Sequence, residues 1–331
     1  MKMRLPTSNA SITLSILMLA LVGSSMCLNA WGPGHYDVNR IALDRFPVEI
    51  KALLSPENRK AFVKDAKVPD DFTPWSEYEK KKGRVITPND LAILSKYKIK
   101  TPYALHSAKG QAVNYVLLYR ALKDRDGNRI AFWGACLAHT LADEVACNHD
   151  PLIHYLTYAF KGGYGMKFGK DGVLDFGELC RTPEGYALAL EALGPVSPKS
   201  LGKETQEVLV EIMLHGLQAN QFMSERSVLI ASAFNPDAGE GALADSRFAM
   251  AELGAYGVRK WLEAITTVCR CSLRPMAKTP DRSEYPGDRR RGGTIYHNEQ
   301  GGALLRRPFS GFRNLPGIAQ VEDSLPSDRC T

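Results

Sequence analysis

RIAFWGACLAHTLADEVACNHD, residues 129–150, carries apolar side chains at helical spacing and then His139, Asp143 and His149. The periodicity predicts a helix from Arg129 to Ala146. His139 and Asp143 are four apart, so they share one helical face, one turn from each other. That spacing presents an imidazole and a carboxylate to a single cation. Ile130 to Leu141 is otherwise apolar, which turns this face inward. Buried imidazole and carboxylate need partners, and a metal ion is one. His149 follows Asp143 by six residues and would point elsewhere on a straight helix. A helix end near Asn148, which Asp150-Pro151 signals, lets it reach a neighbouring site.

Outward from this stretch the same period recurs. It predicts helices over Ala108–Lys123, Glu204–Phe234 and Ala242–Cys271, and one over Asp37–Leu54 that is broken or bent at Pro47. Strand-like alternation is scarce and no internal repeat is present. The expected fold is all-α, a multi-helix bundle whose sites form from inward-facing side chains. At 331 residues and 44% hydrophobic content, the chain suffices for one large domain or two small ones. Tyr78 to Thr101 is Lys-rich, with Pro88 and Pro102 nearby, and is expected as a surface insertion. From about Leu273 the sequence turns rich in Pro, Gly and Arg and loses its period. Residues 273–331 are therefore expected to be a disordered or loosely docked tail following a helical domain at 31–272. Arg289-Arg290-Arg291 in that tail is a solvated basic segment or a phosphate contact.

The N-terminus has the pattern of a secretory signal at residues 1–30. Met1-Lys2-Met3-Arg4 supplies positive charge, Ile12 to Val22 an apolar run, and Leu28-Asn29-Ala30 a small residue at the cleavage position. Cleavage after Ala30, a few residues earlier, or retention as an anchor are the alternatives. No later segment is apolar enough over the length needed to span a bilayer. The expected product is secreted or periplasmic, and begins at Trp31. A net charge of +6 favours anionic substrates or surfaces without choosing between phospholipid and nucleic acid. Seven cysteines in this length are too few for a disulfide scaffold. Cys269 and Cys271 are too close to pair with each other, and Cys136 and Cys147 suit buried thiols as well as bridges.

Of the seven histidines, His35, His106, His139, His149 and His154 lie in the first half of the chain. Asp70 ends the loop-like KVPD. Imidazole and carboxylate donors without a thiolate pair suit zinc in a catalytic site. Each residue also has a plainer role. His35 can cap a turn, His106 can cap a helix start, and Asp70 can be an N-cap with Asp71 the ligand. His139 and Asp143 can be a structural pair, and Phe132 and Trp133 at helical spacing are core packing.

Taken together, Trp31 and His35 in WGPGH, Asp70 in its Pro-Asp step, His106, and the run His139-x3-Asp143-x5-His149 resemble the zinc-dependent phospholipase C and S1/P1 nuclease superfamily. The resemblance covers roughly residues 31–160. It implies an exported all-α protein with a trinuclear zinc cleft, in which the mature N-terminal Trp binds zinc through its amine and carbonyl. By that resemblance Asp70, His106, His139 and Asp143 hold one zinc, and Trp31, His35 and Asp143 hold a second, with Asp143 bridging. His149 belongs to a third. The family completes the third site with a His-x3-Glu pair that this sequence lacks. Glu211 with His215, or His154 with Glu178, are the nearest substitutes, so two zincs are expected and the third is open.

The implied reaction is phosphodiester hydrolysis by a metal-bridged hydroxide, with Asp70 orienting the nucleophile or taking its proton. The WGPGH opening and the Pro-Asp step favour a phospholipase C-like enzyme acting on phospholipid, with peripheral membrane contact. A single-strand nuclease is the alternative substrate class. Phe72, Trp75 and Tyr103 flank the ligands and suit either. A metal-binding protein without turnover, or a metal-free helical scaffold, stays open beside the hydrolase.

Overall fold

The helix expected from residue 129 lies at the centre of the molecule. The computed structural model describes residues 31–82, 85–146, 149–150, 153, 173, 175–235 and 237–273. The expected signal segment, His154, and the tail beyond Leu273 lie outside the described residues. In chain order these form α1 (Gly34–Leu43), α2 (Val48–Leu53), α3 (Pro56–Lys64) and a 3-10 turn (Asp65–Asp70). Then come α4 (Trp75–Lys82), α5 (Pro88–Lys96), a second 3-10 turn (Pro102–His106), α6 (Ala108–Lys123) and α7 (Gly127–Asp143). The chain continues with α8 (Phe176–Leu179), α9 (Pro183–Leu193), α10 (Thr205–Ser232) and α11 (Glu240–Leu273). No strand occurs among the described residues, and the fold is all-α. No helix among them is long and apolar enough to cross a membrane.

Every residue of α7 from Arg129 to Asp143 is buried. A helix apolar on all sides can only sit inside a bundle, and α7 packs against α1, α3, α6, α11 and the first 3-10 turn. Trp133 at its middle is fully enclosed, as are Trp261 of α11 and Phe62 of α3. Phe62 stacks on Trp261 with ring centroids 6.2 Å apart, and Phe46 meets Phe62 edge-on at 5.1 Å. α7 starts where Asp126 accepts hydrogen bonds from the Asn128 and Arg129 amides, and α6 where Ser107 accepts from Gly110.

Two expectations are corrected. Asp37–Leu54 is not one bent helix: α1 ends at Leu43 and α2 begins at Val48, because Pro47 has no N–H to continue a ladder and serves instead as the N-cap of α2. Tyr78–Thr101 is not a surface insertion. Within it lie most of α4 and all of α5, and Tyr78, Ile86, Ile93, Leu94, Tyr97 and Ile99 are core residues. Its lysines mask an apolar face that points inward. Three cysteines, Cys136, Cys180 and Cys269, are buried free thiols, and Cys271 is disulfide-bonded.

The corrected region is tied to α7 by a buried ion pair. Asp90 of α5, fully enclosed, accepts from Arg129 Nε at 3.0 Å and Nη2 at 2.7 Å, and Asp124 takes Nη1 at 2.6 Å. Asp90 also completes a capping box with Thr87. Removing the cation strands a buried carboxylate, so Arg129→Met should cost about 3–5 kcal/mol in chemical denaturation. The double variant Arg129→Met with Asp90→Leu should recover most of that loss. A double variant no more stable than the single would show that the pair is not what fastens α5.

Candidate metal centre

Five elements deliver polar side chains to the C-terminal half of α7. His35 comes from the first turn of α1, Asp70 from the end of the first 3-10 turn, and His106 from the end of the second. His139 and Asp143 come from α7 itself, and His149 from the turn beyond it. The donor atoms of Asp70, His106 and His139 lie within 4.8 Å of one another, as do those of His35, His139 and Asp143. His139 thus belongs to both groups. Asp143 joins them as well: its Oδ1 is 3.5 Å from His35 Nε2, and its Oδ2 is 3.4 Å from His106 Nε2 and 3.7 Å from His149 Nε2. Asp70 Oδ1 is 3.4 Å from His139 Nε2 and 3.7 Å from His106 Nε2.

Hydrogen bonds to the outer nitrogens orient the central rings. His139 Nδ1 donates to the Ala66 carbonyl at 2.5 Å, and His106 Nδ1 to the Tyr103 carbonyl at 2.9 Å. With one hydrogen committed on each ring, both Nε2 atoms present lone pairs. Those two Nε2 atoms face each other at 3.0 Å. Two lone pairs at that distance repel unless a proton or a metal ion lies between them. Burial lowers the His106 pKa, against the pull of Asp143, which disfavours a proton in that place. His35 stacks on His139 at 3.8 Å and has both ring nitrogens buried without a hydrogen-bond partner. Asp143 Oδ1 is in the same condition. Burial alone would raise the Asp143 pKa, but His149, His35, His139 and His106 outweigh it and hold the carboxyl well below the usual range. Imidazoles oriented through their outer nitrogens, converging with two carboxylates, fit a zinc-type ion.

Trp31 packs beside this cluster, fully buried. Its ring stacks on Phe176 at 5.5 Å and lies 6.1 Å from the His35 ring. Its carbonyl accepts from the Gly34 amide at 2.5 Å. The opening WGPGH is gripped by α8: a Cβ on Gly177 would stand 2.7 Å from the Gly34 nitrogen. The amine role expected of Trp31 depends on cleavage after Ala30, outside the described residues. Asp71, the alternative to Asp70, spends Oδ1 on the Thr73 amide at 2.7 Å. His215, one substitute for the third site, joins neither group and donates Nε2–H to the Leu141 carbonyl at 2.9 Å.

Asp70 also opens onto a cavity of about 870 Å³, lined by Tyr36, Lys67, Asp71, Phe72 and Tyr78 among others. Phe72 is half exposed and stacks on Tyr103 at 4.2 Å. Trp75, expected to flank the site, is instead buried against Trp133. The sequence reading missed Lys67 and Tyr36, and also Gln111, whose Nε2 donates to the Thr140 carbonyl and to Glu144. Lys67 sits three residues before Asp70, a helical-turn spacing that gave a signal. Gln111 gave none.

The buried histidines set an acid limit on the metal-free fold. Burial pushes the His215 pKa down to about 4. Below about 6.5 the unfolded chain takes up a proton that the folded chain refuses, so stability is complete above that pH and falls as pH drops toward 4. His215 alone should account for about 3 kcal/mol across that window, and His106 adds to it in the same direction. Denaturation of the metal-free protein between pH 7 and 4 should show this fall, and a His215→Met variant should lack the His215 share. Equal slopes for both proteins would mean His215 does not resist protonation.

In comparison with known proteins, no family model, no curated protein and no solved structure matches the chain.

Proposed function

We propose that this protein is a zinc-dependent phosphoric ester hydrolase of the phospholipase C type. The observation that carries the reading is the pair of Nε2 atoms facing at 3.0 Å between the Asp70 and Asp143 carboxylates. Asp70, His106, His139 and Asp143 would hold one ion, and His35 with Asp143 a second, to which the Trp31 amine adds if the chain is cut after Ala30. Bound there, zinc supplies Lewis acidity toward a phosphoryl oxygen and makes water a better nucleophile at neutral pH.

The chain's own residues do the rest. Among the described residues Asp70 is the one acid that lies against both imidazoles and the cavity, so it orients the attacking water and accepts its proton. Lys67, the only cation lining that cavity among the described residues, meets the negative charge of the phosphoryl group. Asp143, enclosed and anionic, stays deprotonated and keeps the two groups of donors together. The lipid assignment rests on the WGPGH opening and the Pro-Asp step. The half-exposed Phe72, already stacked on Tyr103, favours the second reading, a single-strand nuclease, since an exposed aromatic face can take a base.

Purified protein should carry two zinc ions per chain by mass spectrometry. It should hydrolyse bis(p-nitrophenyl) phosphate, and lose at least about a thousandfold in kcat on Asp70→Asn. Phosphatidylcholine vesicles and single-stranded DNA, tested in parallel, assign the substrate. Protein with bound zinc and no turnover on any of the three would leave a metal-binding role. Protein with no zinc would remove the hydrolase reading.

A further inference from the structure

Beyond Asp143 the chain has two ways to continue. As an α-helix, Val145 would donate to the Leu141 carbonyl, four residues back. His149, six residues after Asp143, would then stand about 9 Å further along the axis and on another face. The structure takes the other way. Val145 donates to Ala142 at 3.1 Å, Ala146 to Asp143 at 3.0 Å and His149 to Ala146 at 2.9 Å, each three residues back. This tight turn returns His149 Nε2 to 3.7 Å from Asp143 Oδ2.

Among the described residues, the choice leaves the Leu141 carbonyl without a donor from its own segment, in a buried place. A helix end of that kind needs a partner from elsewhere. His215 of α10 supplies it, with Nε2–H on Leu141 O at 2.9 Å from 74 residues away. The imidazole is 4% exposed and held in a stacked column: Tyr256 lies parallel to it at 5.6 Å, and Phe222 lies on Tyr256 at 4.6 Å. From the far side α11 closes on the same turn, where a Cβ on Gly257 would meet Ala142 at 3.2 Å.

We propose that His215 is a positioning residue of the metal centre: by occupying the Leu141 carbonyl, its Nε2–H selects the tight turn after α7 and so brings His149 back to Asp143. His215 touches no metal donor and acts through the backbone. The inference rests on the zinc-site reading of the histidine cluster.

The test compares the full-length wild type with His215→Gln, His215→Met and His215→Asn. Gln places an amide donor near the position of Nε2, Met fills the space without a donor, and Asn draws the donor back. Zinc affinity is read by competition with a chelating dye, and the coordination sphere by the absorption of bound cobalt. Met and Asn should weaken the zinc affinity about 10–100-fold and change the cobalt spectrum, while Gln stays within about threefold of wild type. If Met does not fold, the contrast between Gln and Asn decides. Wild type that binds zinc, with Met or Asn binding equally tightly and an unchanged cobalt spectrum, overturns the positioning role and leaves the zinc reading intact. Wild type that binds no zinc overturns both.

Discussion

The structure depends on one constraint: α7 is buried along its length and carries a charge near each end, both set against the helix dipole. Arg129 stands near the N-terminus, where the dipole is positive, and Asp143 in the last turn, where it is negative. Neither charge is favoured by its helix, and neither can reach bulk water. Each must be neutralised by something brought from another element. The rest of the fold can be understood as two answers to that demand.

At the N-terminal end the answer is built into the chain. Asp90, Asp124 and the cap Asp126 surround the start of α7 with negative charge, and each nitrogen of the Arg129 guanidinium donates to one of the first two. At the C-terminal end the surroundings are imidazoles, which are cations only when protonated. Burial opposes a proton on His106, and each of the two central rings has already committed one nitrogen to a carbonyl. Asp143 therefore faces imidazoles, where Arg129 faces carboxylates. His139 and Asp143 thus lie in a cluster that a metal ion could join, in contrast to the closed Arg129 pair.

Much of this was legible in the sequence wherever the signal was periodic. α6 spans Ala108–Lys123 as the apolar spacing requires, and the long helices α10 and α11 begin and end within two residues of the expected limits. The four-residue interval from His139 to Asp143 announced a shared face. α4 and α5 were hidden because Lys80, Lys81 and Lys82 dominate the local composition, although Tyr78, Ile93, Leu94 and Tyr97 are the residues that count for burial. The break before α2 was half visible, since Pro47 marks the place and does not say how far the chain turns.

What stayed illegible is the part carried by backbone carbonyls. Three of them orient or receive the buried histidines: Ala66 takes His139, Tyr103 takes His106, and Leu141 takes His215. Every residue has a carbonyl, so nothing in the identity of Ala66 or Leu141 marks it for this use. What selects each one is an interruption of regular helix. Ala66 and Tyr103 lie in 3-10 turns and Leu141 in a final helical turn, where carbonyls lose their usual donors. The short irregular elements between helices are therefore what gathers the histidines of the bundle into a candidate site. They hold the imidazoles by groups the sequence cannot distinguish, and leave the Nε2 atoms of His106 and His139 facing each other.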